Sequence, residues 1–375
     1  MSMPSPIWIE QDQALAACCQ RWLTLPILAL DTEFERTHTY YPRPGLIQVY
    51  DGEGIYLLDP LALTDMTPFN EVLERADIVK VLHSGSEDIE LFIFRLGASP
   101  QGIFDTQVAA AYAGLDTGMG YQRLLEQLLN VSPAKEETRS DWLQRPLTEA
   151  QCHYAAEDVY WLYQVYQILQ QQLADKQRLH WVLEDGASLV SQIADSFAPD
   201  HYYSRIKQAW QLNPRELAIL RDLASWRERE ARQRDVARNQ VMSDIVLWQV
   251  ARTKPRSTAA LSQVEGMRPH WLKKATPYVL AIIEAALELP PEALPARLPK
   301  PLSRAAQGRL RQLRTVINRV ASEQQVPAEL LARKKDLEWL IRHPQALADL
   351  AAWPGGLHGW RQVMLAPAIT SLEFN

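Results

Sequence analysis

Over the first 110 residues, short apolar runs alternate with stretches of helical spacing. Ile7–Glu10 (IWIE), Ile27–Glu35 (ILALDTEFE), Leu46–Asp51 (LIQVYD), Gly54–Pro60 (GIYLLDP) and Ile78–Gly85 (IVKVLHSG) are rich in Ile, Leu and Val. Gly, Pro and Asp punctuate them, so they predict five strands. Helical spacing occupies Asp65–Leu73 and Glu87–Leu96. From Ile103 to Gln172 the pattern predicts helix throughout, ending in a long amphipathic stretch that begins at Thr148. Thr148 is a suitable N-cap, with Gln151 in the reciprocal capping-box position. Strands followed by helices that pack on them predict an α/β domain over residues 1–204.

The pattern changes near Asp200. Residues 205–290 predict a first all-helical domain. Prolines then crowd PPEALPARLPKP, which predicts a semi-rigid linker at 291–301, and residues 302–375 predict a second helical domain. The two helical blocks read as a diverged repeat. Trp248-Gln249-Val250-Ala251-Arg252 leads through Pro255 and Leu261 to Gly266 and Trp271. About 90 residues later, Trp339-Leu340-Ile341-Arg342 leads through Pro344 and Leu350 to Gly355-Gly356 and Trp360. The glycines are expected to supply positive φ for a tight helix–helix turn.

Composition narrows the class. The 375 residues are 47% hydrophobic and 22% charged, as in a soluble folded protein. The N-terminus carries no basic stretch followed by an apolar run, and no segment nears the ~20 apolar residues that would cross a bilayer. Cys18, Cys19 and Cys152 form no CxxC pair, which argues against a disulfide framework or a structural zinc site. These features predict a cytoplasmic protein. The net charge of −6 conceals a division: residues 1–200 carry 12 Lys and Arg against 29 Asp and Glu, whereas residues 201–375 carry 27 against 16. Surplus cations on helical domains can be a merely solvated face, but such asymmetry also suits a polyanion partner. Arg227, Arg229, Arg232, Arg234 and Arg238 predict a solvated helix face that attracts phosphate, with Arg227 and Arg238 as candidate RNA contacts.

Candidate chemistry lies in three clusters. Asp31 and Glu33 end an apolar strand, and alternation puts them on one face, where two carboxylates can hold a hard divalent cation. The same pair could instead cap the following turn. Asp88 opens the helix after Ile78–Gly85. It could point back toward the strand ends or, with Glu87, simply offset the helix dipole. His83 suits a structural or substrate-positioning role, since no second His accompanies it. Tyr154 and Asp158 lie four apart on a helix and can reach one point, while Glu157 should face elsewhere as a surface charge. Phe34 and Tyr41 could stack on bases, although Phe34 fits a core position equally well.

D-x-E, then Asp88 in an H-x-x-x-x-D helix start, then Y-x-x-x-D resembles the DEDD exonuclease superfamily in its tyrosine-bearing branch. LDTEFER, LIQVY, KVLHSGSEDIELF, FDTQVAAAYAG and DWLQRPLTEAQCHYAAEDVYWL are similar to the ribonuclease D family, and residues 205–290 resemble an HRDC domain, with a diverged copy behind it. The resemblance implies a ribonuclease H-like fold, a mixed sheet flanked by helices, followed by two all-α HRDC-type domains. It also implies 3′–5′ hydrolysis of RNA with two Mg²⁺ or Mn²⁺ ions per site and release of 5′-mononucleotides. By resemblance, Asp31 would bridge the ions, Glu33 and Asp158 would complete the nucleophile side, Asp88 would serve the leaving-group side, and Tyr154 would position water. Precursor transfer RNAs and other structured RNAs with single-stranded 3′ tails are the implied substrates.

A DNA 3′–5′ exonuclease would use the same five residues, since none of them reads a 2′-hydroxyl. A non-catalytic RNA-binding module predicts loss of a carboxylate, and all four are present. No G-x-x-x-x-G-K-[ST] loop occurs, which excludes a helicase fusion. No heptad seam suggests an oligomer, so a monomer is expected.

Overall fold

The computed structural model describes residues 3–132, 140–196 and 198–372. The chain forms two compact units. One comprises Met1–Glu35, Pro44–Ser191 and Leu302–Asn375; the other comprises Arg36–Arg43 and Gln192–Pro301.

The first unit is built on a six-stranded mixed sheet. Its strands are β1 (Ile7–Ile9), β2 (Ile27–Glu35), β3 (Arg43–Tyr50), β4 (Ile55–Leu58), β5 (Val79–Leu82) and β6 (Ile103–Asp105), in the order β1-β4-β3-β2-β5-β6. β3 runs antiparallel to β4, while β1 with β4, β2 with β5 and β5 with β6 are parallel. Helices α1 (Asp12–Trp22), α2 (Thr67–Glu74) and α3 (Ser86–Leu91) are the first three in the chain. α4 (Thr106–Ala113), α5 (Tyr121–Leu129), α6 (Glu149–Asp175) and α7 (Leu179–Ser196) follow. Alternation along the central strand divides its side chains. Ala29 joins the core that Leu46, Leu57, Val81 and Phe104 form with Ala155, Ala156 and Val159 of α6. Residues two and four beyond Ala29, namely Asp31 and Glu33, therefore face α6 as well.

The expected helix from Ile103 is corrected at its start. Ile103–Asp105 is strand β6, because Lys80, Val81 and Leu82 offer it a parallel partner, and three residues are too few to show a period. The connection after α5 is also non-helical where it is described, and residues 133–139 of that expectation lie outside the described residues. Gly186 lets α7 cross β6 closely, since a Cβ there would collide with the Ile103 carbonyl. The capping box at Thr148 forms as expected: Gln151 N donates to Thr148 Oγ1 at 3.1 Å, and Gln151 Oε1 accepts from Thr148 N at 2.9 Å.

In the second unit, α8 (Pro214–Gln233), α9 (Arg238–Val241), α10 (Asp244–Thr253), α11 (Thr258–Ser262) and α12 (Pro269–Glu288) enclose a core that includes Leu217, Leu220, Val246, Leu247, Leu261 and Ile283. Leu294 and Leu298 of the proline-rich segment pack against that core. The last block repeats the helix order as α13 (Arg304–Gln324), α14 (Ala328–Leu331), α15 (Lys334–Arg342) and α16 (Trp360–Thr370), about 90 residues on. Gly266 takes the expected positive φ of 81°. In the second copy Gly355 begins a 3₁₀ turn and the positive φ moves to Gly359, at 64°.

This last block shares the sheet domain's core. Trp360 stacks on Trp181 at 4.2 Å and meets the Tyr112 edge at 5.4 Å. Arg361 pairs with Asp185 through both terminal nitrogens and donates to the Leu330 carbonyl at 2.7 Å through Nε. No helix among the described residues is long and apolar enough to cross a membrane. All three cysteines are free.

Candidate active site

β2 carries Asp31 and Glu33 to the face on which α6 packs, and the helical repeat brings Tyr154 and Asp158 of α6 to the same place. Carboxylate oxygens of Asp31, Glu33 and Asp158 all lie within 4.8 Å of one another. Thr32, between the two β2 acids, points the other way. Its hydroxyl donates to Asp88, which is buried in the first turn of α3. Asp88 is outside the group of three but near enough for its charge to act on Asp31 and Glu33.

The turn before α3 is fixed from below. Asp105, at the end of β6, accepts backbone N–H bonds from Ser84 at 3.0 Å and Gly85 at 3.1 Å, and also caps α4 through Gln107 N at 2.8 Å. The correction of Ile103–Asp105 to strand thus has a functional side, because β6 holds the turn that presents Asp88. α3 continues into a π-helical turn, Phe92–Leu96, a rare local form that recurs at functional sites.

Four acids crowded in a half-dry space resist ionisation together. Burial, then the charges of Asp88, Asp158 and Glu33, hold the Asp31 carboxyl well above the usual range. Burial, with Asp158 and Asp88, pushes Glu33 up to about 9. Burial raises Asp88 to about 6 against the opposing Thr32 bond, and raises Asp158 to about 7 against the opposing bond from Tyr154. Tyr154 itself is pushed far up, first by burial and then by Asp158, Glu33 and Asp31, so its hydroxyl stays protonated. An oxygen-only set of carboxyls that resist ionising side by side suits a divalent cation, whose charge would offset theirs.

Three supporting residues went unnoticed in the sequence. Tyr121 donates to the Asp158 carbonyl at 2.6 Å and packs its ring 5.1 Å from His83. Trp142 lies 6.1 Å from the Tyr154 ring. Arg145 anchors the Trp142 loop by two bonds to Asp59, at 2.6 and 2.8 Å, and one to the Trp142 carbonyl. No periodicity marks such loop contacts, although the density of Trp, Arg and Pro in DWLQRP was a signal.

The other candidates fall as follows. His83 ends β5, its Nδ1 2.9 Å from Thr106 Oγ1, and burial lowers its pKa; it is outside the acidic cluster. Phe34 is half-buried on the Thr32 side of β2, and Tyr41 packs edge-on against Tyr40 at 4.8 Å. Glu157 is half-buried and lies 3.6 Å from His153. The arginine face is corrected. Arg227 is fully buried: its guanidinium bonds the Met242 carbonyl and Asp244, and lies beside the equally buried Glu228. Arg238 is bound to Glu228 at 2.8 Å and to the Tyr40 hydroxyl at 2.9 Å. The Arg227 guanidinium is therefore not presented as a phosphate contact; Arg238 stays partly exposed while bound to Glu228 and Tyr40, and Arg229 alone of the five is mostly exposed.

Comparison with known proteins gives the family. Residues 6–174 match the 3′–5′ exonuclease family, residues 216–283 the HRDC domain, and residues 307–369 the C-terminal HRDC domain of ribonuclease D. The chain is 42% identical over 371 residues to ribonuclease D of Pseudomonas paraeruginosa, covering 98% of each chain. It is 37% identical to that of Escherichia coli K12, covering 97% of each. The crystal structure of Escherichia coli RNase D, described as an exoribonuclease involved in structured RNA processing, superposes with a TM-score of 0.91 at 36% identity, over 98% of both chains. The chain belongs to the ribonuclease D family of 3′–5′ exoribonucleases.

Proposed function

We propose that Asp31, Glu33, Asp88, Tyr154 and Asp158 carry the hydrolysis, and that two cations of the Mg²⁺ or Mn²⁺ kind serve the site. The observation that carries this reading is the meeting of Asp31, Glu33 and Asp158 oxygens within 4.8 Å, with Tyr154 bonded to Asp158. The donors are all hard oxygens, which fits these ions. Asp31 would be shared between the two positions, Glu33 and Asp158 would complete one, and Asp88 the other. When bound, the ions would supply a water nucleophile at neutral pH and neutralise charge gathering on the phosphate.

The chain's own groups do the rest. Tyr154, bonded to Asp158, would act as a hydrogen-bonding guide for the attacking water. Its bond to Asp158 and the packing of Trp142 set its direction. The Thr32 hydroxyl holds Asp88 in one rotamer. Transfer-RNA precursors and other structured RNAs with single-stranded 3′ tails are the proposed substrates, on the strength of the family. The five residues all belong to one unit of one chain, so a monomer suffices.

Calorimetric titration of Mn²⁺ into the metal-free chain with a non-hydrolysable RNA tests the ion count. Two bound ions in the native chain, reduced in Asp31→Ala, are expected; a single unchanged site would refute the two-ion assignment. Trimming of a transfer-RNA precursor with a 3′ trailer, against a single-stranded DNA of the same sequence, tests the substrate. Equal rates on both would overturn the RNA preference.

A further inference from the structure

In the first helical domain, Trp226 of α8 and Tyr278 of α12 stand nearly parallel, with ring centroids 5.9 Å apart and an interplanar angle of 21°. Trp226 is half-buried, but Tyr278 is 56% exposed, one of the few large side chains that stays in solvent. Beside them opens a pocket of about 160 Å³, with Trp271 in its wall. Trp271 is itself fixed, donating from Nε1 to the Gln240 carbonyl at 3.0 Å. The rim carries Lys274 and His270, both exposed, and Arg234, which pairs with Glu230 at 3.3 Å.

Each feature narrows the occupant. The pocket is well below the roughly 300–1,000 Å³ of ordinary small-molecule sites, so it suits one flat ring rather than a whole ligand. An exposed ring already stacked on another offers its free surface to a further π-system. Cations at the edge suit the phosphates on either side of such a ring, and this half of the chain carries 27 Lys and Arg against 16 Asp and Glu. Only an unpaired base can leave its own stack to lie on a protein ring.

We infer that Trp226 and Tyr278 form a stacking platform for one unpaired nucleotide of the RNA substrate, with Lys274 holding an adjacent phosphate. The inference rests on the exoribonuclease reading and deepens it: the first helical domain selects RNAs that present an unpaired base, in addition to the 3′ end taken by the carboxylates. Tyr278 is then a specificity residue that takes no part in the chemistry.

The test is fluorescence anisotropy of the full-length chain in EDTA with a labelled single-stranded RNA and with a blunt RNA duplex. Tyr278→Ala should weaken single-strand binding about 5- to 150-fold, the range one stacked base corresponds to. It should leave duplex binding unchanged. Tyr278→Phe keeps the ring and should stay close to wild type, which separates stacking from loss of the fold. Lys274→Gln should lower the slope of log affinity against log salt by about one. Single-strand affinity unchanged in Tyr278→Ala would overturn the proposal and leave the patch to a protein partner. An equal loss on the duplex would overturn it too. RNA degradation with Mg²⁺ by wild-type protein, measured alongside, keeps this failure apart from failure of the exoribonuclease reading.

Discussion

Replacing Glu33 by Gln should make the metal-free protein more stable at high pH and change it little at pH 4. In an unfolded chain these carboxyls titrate near pH 4. In the fold Asp88, Asp158 and Glu33 keep their protons to about 6, 7 and 9. Between those values the native state binds more protons than the unfolded state, so stability falls as pH rises. Glu33 spans the whole of that window, from 4.5 to about 9. Taken at face value, its displacement from 4.5 to about 9 is worth ~6 kcal/mol at 1.36 kcal/mol per pKa unit. Water and monovalent ions reaching a half-buried carboxylate screen much of this, leaving on the order of 2–3 kcal/mol. Such a difference moves a melting temperature by roughly 4–12 °C in a domain of this size. The assay is thermal unfolding of both proteins in EDTA at pH 4 and pH 9.5. Comparing the two proteins at each pH cancels the other titrating groups. Equal melting at pH 4 and a more stable variant at pH 9.5 are expected, and saturating Mn²⁺ should stabilise the wild type more than the variant. A wild type as stable as Glu33→Gln at pH 9.5 in EDTA would refute the account of the crowded acids.

Other substitutions separate the roles. Tyr154→Phe removes the hydroxyl that guides water while keeping the ring against Trp142; single-turnover cleavage should slow about 10²-fold with RNA affinity unchanged. Thr32→Val releases Asp88 and should weaken metal affinity or activity about 10- to 100-fold, read by Mn²⁺ titration. Arg361→Ala strands Asp185 among Tyr112 and Trp181 and should cost about 3–5 kcal/mol in urea unfolding. Arg227→Ala should destabilise the first helical domain by a similar amount, because it leaves Glu228 buried and less well paired. The salt slope of RNA binding should not change in that variant, measured where it is folded.

The proposed catalytic constellation was legible because it rests on two local periods. Alternation places Asp31 and Glu33 with Ala29 on the α6 face, and the helical repeat places Tyr154 above Asp158. Thr148 and Gln151 follow an equally local rule. What could not be read depends on partners distant in sequence. Arg227 and Glu228 look like ordinary charges on a polar helix. They are buried because Tyr40, 188 residues before Glu228, donates its hydroxyl to that carboxylate, and because Met242 and Asp244 close over Arg227. Thr32 looks like a spacer between two acids until Asp88 arrives beneath it. β6 is three residues long, too short for a period, and exists because β5 has an open edge. In the second helical copy the positive φ sits at Gly359, while Gly356 is needed for a close approach to Asp336.

The most direct test of the central claim is digestion of a 5′-labelled structured RNA carrying a single-stranded 3′ tail, with Mg²⁺, with EDTA, and with Asp31→Ala. A ladder shortening from the 3′ end in the Mg²⁺ lane, absent with EDTA and absent in the variant, is the predicted result. Full-length RNA in the Mg²⁺ lane while binding persists, or undiminished cleavage by Asp31→Ala, would contradict it.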